Sequence, residues 1–186
     1  CMSAEGARAP LGCLGLQPFV RLNQLENAKD QAAWEQQMGS GFTEAGRWLK
    51  GMRHCERVLG KEVSAIHVCD REGDAYPVLS KLVQAHSRFV IRLAQNRTVT
   101  EPETGHLLDF IAEQPVLGPS RQVQLSERLQ ASVMPADRKT HPARKSRSGE
   151  LVLRCAQVTL KRPAKRNSDG QSPQSITLNV VDVSEV

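Results

Sequence analysis

Residues 63 to 93 constrain the fold of this chain more than any other stretch. Val63 to Cys69 (VSAIHVC) is a short apolar run, β-branched in part, that stops at Asp70. Such runs suit a strand buried within a parallel sheet. A turn at Gly73 follows. A helix is then expected from about Asp74 to His86, with Tyr76, Leu79, Leu82 and Val83 on its inner face. Pro77 falls in its first turn, where a missing N–H does no harm. Arg88 to Leu93 (RFVIRL) reads as the next strand. Strand, helix and strand within about thirty residues make a parallel α/β unit with a right-handed crossover.

The flanking sequence extends that unit. Residues 11 to 22 (LGCLGLQPFVRL) are apolar with glycine punctuation and read as a strand entering a loop at Pro18. Residues 23 to 40 are polar and read as a loop or a poorly packed helix. Thr43 suits a helix cap. Phe42, Ala45, Trp48, Leu49, Met52, Cys55, Val58 and Leu59 then form one helical stripe, stopped at Gly60. After Gln95 the character changes. Residues 96 to 106 are polar loop, and Leu107 to Glu113 is a short helix ended by Pro115. Residues 121 to 134, 150 to 161 and 175 to 183 alternate in part and read as strands, separated by polar loops. The expected division is an α/β half over 1–95 and a small, mostly antiparallel β subdomain over 96–186.

Charge is unevenly spread. Residues 121 to 166 hold 12 Lys and Arg against three acids, a net +9 in a chain of net +5. A basic block behind a neutral-to-acidic half suggests a polyanionic partner, or else a solvated basic loop. Aromatics are 4% of the chain, which disfavours a stacking platform for single strands. Duplex phosphates need only Lys and Arg. The five cysteines are scattered with no CxxC pair, against a zinc knuckle or disulfide framework and in keeping with reduced thiols. No apolar run approaches a membrane span and no signal peptide opens the sequence, so a cytoplasmic protein with no membrane partner is expected.

Asp70 is the chemically informative residue. A carboxylate at the carboxyl end of a buried parallel strand faces the crevice where open α/β sheets bind ligands. It can serve there as metal ligand, phosphoacceptor or nucleophile. Equally, Asp70 and Asp74 can be caps of the turn and helix that follow. The phosphoacceptor reading gives the +9 segment no use. His67, inside the apolar run, reads as a satisfied core residue, and Cys69 as a buried thiol.

The string Val68-Cys69-Asp70-Arg71-Glu72-Gly73-Asp74, then a helix, then Arg88-Phe89-Val90-Ile91-Arg92, closely resembles the middle of bacterial insertion-sequence transposases of the Asp-Asp-Glu (DDE) class. In that family a strand ends in Asp-Arg-Glu-Ala-Asp, a helix follows, and the next strand reads Arg-Phe-(Val/Ile)-(Val/Ile)-Arg. Glu44-Ala45-Gly46-Arg47-Trp48-Leu49 resembles the family's Glu-Ser-x-Lys-Trp-Leu. Pro142-Ala143-Arg144-Lys145 resembles a stretch of its inserted β subdomain, and Ile176 to Val181 the strand after it. The resemblance covers most of the chain in the right order.

It implies a partial ribonuclease-H-like core with an inserted β subdomain. It makes Asp70 the second of three carboxylates of a two-metal Mg²⁺ (or Mn²⁺) site for DNA cleavage and strand transfer. Arg92 and Arg97 would approach DNA near that site, and Arg144 and Lys145 the DNA backbone in the β subdomain. The implied partners are double-stranded DNA, at transposon ends and target, and a second copy in a homodimer of the full-length enzyme. The family's first Asp and its Glu, in a Tyr-x-x-Arg-x-x-x-Glu-x-x-x-x-x-x-Lys pattern, have no counterpart here. The chain is therefore expected to be an internal piece of the catalytic core, inactive alone. Gly73, where the family has Ala, would loosen the helix start and suits the alternative of a degenerate remnant that only binds DNA.

Overall fold

The computed structural model describes residues 1–3, 9–16, 44–101, 105–129, 143–164 and 172–186. Those residues form a mixed α/β protein with three α-helices and two small sheets. They divide into two compact units, the first comprising 1–96 and 161–176, the second 97–160 and 177–186. The first switch between units falls after residue 96. The later half is not continuous, because 161–176 returns to the first unit.

In the first unit, helix α1 (Glu44–Leu59) turns part of its stripe inward. Met52 is buried, Trp48 and Leu49 pack against the same cluster, and Val58 is exposed. Gly60 ends the helix at φ 73°, its N–H donating to the Glu56 carbonyl at 3.0 Å, a conformation that costs glycine little. Strands β1 (Ile66–Cys69) and β2 (Arg88–Ile91) pair in parallel, in register from Ile66↔Arg88 to Cys69↔Ile91. Between them lie a 3₁₀ turn (Arg71–Gly73) and helix α2 (Tyr76–Gln84), with Pro77 in its first turn. Cys69, Val78 and Leu82 join Met52 in the core, with Phe89 and Ile91 packed against it.

The expected burial of β1 holds for one face only. His67 and Cys69 point into the core, whereas Val68 is 74% exposed and its pair partner Val90 is also exposed. Successive strand side chains face opposite ways, and the core cluster fills only one of the two sides. Ser172 and Pro173 bond to α2. The Tyr76 hydroxyl donates to the Pro173 carbonyl at 3.1 Å, and Ser80 Oγ lies 3.3 Å from buried Ser172 Oγ.

The strand expected at 11–22 does not form over residues 11–16. Met2 and Pro10 make an isolated bridge instead, and Leu11 and Leu16 are exposed. Gly12, at φ 131°, takes a conformation foreign to a strand. Residues 17–43, including the expected loop, Phe42 and the Thr43 cap, lie outside the described residues.

In the second unit, helix α3 (Leu107–Ala112) buries Leu107 and Ile111. Strand β3 (Arg121–Leu125) runs antiparallel to β4 (Arg147–Lys161), in register from Arg121↔Leu151 to Leu125↔Arg147. β3 ends nine residues before the expected boundary at 134, and residues 130–142 lie outside the described ones. Strand β5 (Ser175–Glu185) flanks β4 on the other side. One face carries buried Val152, Val158 and Leu160. Among the described residues no helix is long and apolar enough to cross a membrane.

Candidate functional site

Asp70 stands where β1 gives way to the 3₁₀ turn. Its backbone is extended, and Oδ1 accepts the Glu72 N–H at 3.0 Å, so the residue caps the turn while remaining exposed. Gly73 closes the turn, its N–H donating to the Asp70 carbonyl at 3.1 Å. A Cβ at Gly73 would lie 2.8 Å from Cys69 Cβ. Glycine is thus a packing requirement at this corner.

Asp74 is buried and does not cap α2. Its Oδ2 accepts the Ala94 N–H at 2.7 Å and the Gln95 N–H at 3.1 Å, pinning the segment that leaves β2 to the turn that leaves β1. The cap position belongs to Ala75, which offers no side-chain bond. Sequence pattern alone places an acid before a helix. Only the fold shows that its nearest unpaired amides are those of another strand's exit.

Arg92 lies one step past β2, as Asp70 lies one step past β1. The parallel register Cys69↔Ile91 therefore sets them side by side, and the Arg92 N–H donates to the Cys69 carbonyl at 3.1 Å. Both residues are exposed. An exposed carboxylate and an exposed arginine thus share the carboxyl ends of neighbouring parallel strands, the side of an open sheet where ligands bind. Burial, and then the Asp70 charge, push the Cys69 thiol above its ordinary value, which disfavours the thiolate that a nucleophile needs. The core reading of His67 holds, its Nε2 lying 2.9 Å from Glu56 Oε1. Among the described residues no three His, Cys, Asp or Glu side chains converge as metal ligands. Asp70 is one hard oxygen donor, and any metal here needs others.

The second unit carries the basic residues unevenly. Arg97, expected as a phosphate contact, is 6% exposed, its side chain largely buried. Arg144 is half-buried, bridges Arg128, and donates Nη2 to the Ser126 carbonyl at 3.1 Å. Lys145, Arg121 and Arg128 are exposed. Arg147 forks onto Glu185, and Arg154 donates to Ser184 Oγ at 2.9 Å with Asp182 Oδ2 at 3.5 Å. These acids lie on β5, outside the basic block in sequence. Asp182 and Glu185 are three residues apart, on opposite faces of β5, so no strand period links them and their pairing with the arginines needs the β4–β5 register to be read. The sequence matches no family model and no curated protein.

Proposed function

We propose that this chain is part of a DDE-class DNA transposase, a partial ribonuclease-H-like core carrying an inserted β subdomain. It would act in the bacterial cytoplasm on double-stranded DNA at transposon ends and target, as a homodimer when full length. The observation that carries this reading is Asp70 beside Arg92 at the carboxyl ends of β1 and β2, in the ordered context VCDREGD…RFVIR.

Cleavage and strand transfer are in-line displacements at phosphorus. Bound Mg²⁺ (or Mn²⁺) ions activate the attacking hydroxyl and stabilise the leaving oxygen. Asp70 would supply one carboxylate to those ions, a ligand type hard cations favour. Its bond to the Glu72 N–H orients that carboxylate. Arg92 offers a planar, permanently charged donor for the scissile strand's phosphates. Arg121, Arg128 and Lys145 add phosphate contacts that position DNA without reading its sequence. One carboxylate cannot hold two ions, so the chain alone binds DNA without cutting it.

The test separates cap from ligand. In a polypeptide extended to supply the family's other Asp and its Glu, Asp70→Asn keeps an oxygen for the Glu72 N–H but loses the charge. Expected are retained folding and DNA binding with cleavage reduced at least ~100-fold, a loss of about 2.7 kcal/mol of transition-state stabilisation. Full cleavage by Asp70→Asn overturns the reading. So does failure of the 186-residue chain to bind duplex DNA in a salt-dependent manner.

A further inference from the structure

The outer edge of β5 carries the inference. Two hydrogen bonds fix the β4–β5 register at its ends. The Arg162 N–H donates to the Gln174 carbonyl at 2.8 Å, and the Val186 N–H to the Glu150 carbonyl at 3.1 Å. Equal numbers of residues separate these bonds on both strands, so the ladder runs antiparallel without a bulge. The Thr159 and Thr177 hydroxyls, 2.9 Å apart, mark a close pair of the kind lying between the bonded ones.

Even-numbered residues of β5 therefore bond to β4. Thr177, Asn179, Val181, Val183 and Glu185 turn their N–H and C=O groups away from it. Among the described residues no strand pairs with that edge. All five are exposed, Val181 at 62% and Val183 at 58%. An edge of this length is ordinarily blunted by lysine, proline or a bulge. β5 (SITLNVVDVSE) has no lysine, no proline and no bulge.

We propose that this edge pairs with β5 of a second copy of the chain, antiparallel and about a two-fold axis at Val181. The edge is self-complementary. Val181 faces Val181 of the second copy, Asn179 faces Val183, and Thr177 faces Glu185. About ten N–H···O bonds form, and every outward group of the five finds a partner. An axis at Asp182 would set two like charges opposite each other. The axis at Val181 keeps the Glu185 carboxylates at opposite ends of the seam and joins exposed Val181 and Val183 into one apolar strip. The two three-stranded sheets become one six-stranded sheet. This pairing does not rest on the transposase reading, which stands or falls with Asp70.

The test is sedimentation velocity of the 186-residue chain over a range from about 1 to 200 µM. The expected result is a reversible dimer. Val181→Lys with Val183→Lys places charge on the edge, and Val181→Pro removes an outward N–H while sparing every bond to β4. Each should weaken the dimer at least ~10-fold with circular dichroism unchanged. Asn179→Lys, on the same exposed edge, gives an independent variant should the valine changes disturb folding. A chain monomeric throughout overturns the proposal, as does a dimer indifferent to all three changes.

Discussion

Gly73 and His86 are two residues whose identity is set against or by the backbone. At Gly73 the neighbour a side chain would strike is Cys69 Cβ, 2.8 Å away, not the mobile end of a side chain. Gly73→Ala should cost about 1–3 kcal/mol in urea unfolding, the usual penalty for overpacking. Cys69→Ala should not rescue it, because the Cβ that clashes remains. His86 is the opposite case. It sits at φ 54° just past α2, where its N–H donates to the Val83 carbonyl at 3.1 Å and the Ser87 N–H to the Leu82 carbonyl at 3.0 Å. That is a Schellman ending, whose left-handed position favours glycine. His86→Gly should stabilise the chain by about 1 kcal/mol, read as a higher melting temperature. Neither residue's role was legible from spacing: Gly73 reads as a turn and His86 as the last residue of a helix.

At the scale of elements, α1, β1 and the start of β2 are tied by one carboxylate. Glu56 Oε1 lies 2.9 Å from His67 Nε2 and accepts the Ser87 hydroxyl at 2.8 Å. The His67 bond first, and the Ser87 bond second, hold Glu56 below its ordinary 4.5. A carboxylate depressed in the folded state contributes its full stabilisation above the unfolded value. The contribution is lost as pH falls through the lower folded value. Glu56→Gln should therefore destabilise the chain at neutral pH, by less than about 1 kcal/mol because the Glu56 side chain is 40% exposed and its charge is screened. Its melting temperature should converge with that of the parent as acid protonates Glu56. A gap that persists unchanged in acid would show that charge plays no part. The elements themselves were largely legible. The apolar stripe gives α1, Pro77 fixes the start of α2, and the two β-branched runs give a parallel pair. The strand expected after Leu11 was not, because apolar residues punctuated by Gly12 and Gly15 carry no information about whether a neighbour exists to pair with.

For the whole molecule, the +9 segment was legible as charge but not as surface. Arg147 and Arg154 meet Glu185 and Asp182 across the sheet, so fewer of its cations are left without an acidic partner than the count implies. The salt dependence of duplex binding should reflect that smaller set. Replacing Arg121, Arg128 and Lys145 together by alanine should lower the log–log salt slope by about 3 and weaken binding to all sequences alike. A slope unchanged by the triple variant would place the phosphate contacts elsewhere. Asp70 was legible as a strand-end carboxylate. Its bond to the Glu72 amide is the local cap the sequence allowed, whereas the placement of Arg92 beside it follows from register, which one sequence does not contain.

The return of residues 161–176 to the first unit has a consequence for synthesis. Emerging from the ribosome, residues 1–96 lack Ser172 and Pro173, and so cannot yet make their bonds to Ser80 and Tyr76. The intervening 97–160 must be translated first, which puts long-separation contacts at the end of the process. A nascent chain stalled at residue 160 should be cut by protease within the α1–β2 region, and one stalled beyond the folding of 161–176 should resist. The order in which this protein becomes stable is thus written into where its chain doubles back, and its N-terminal part waits for its C-terminal part before it is safe.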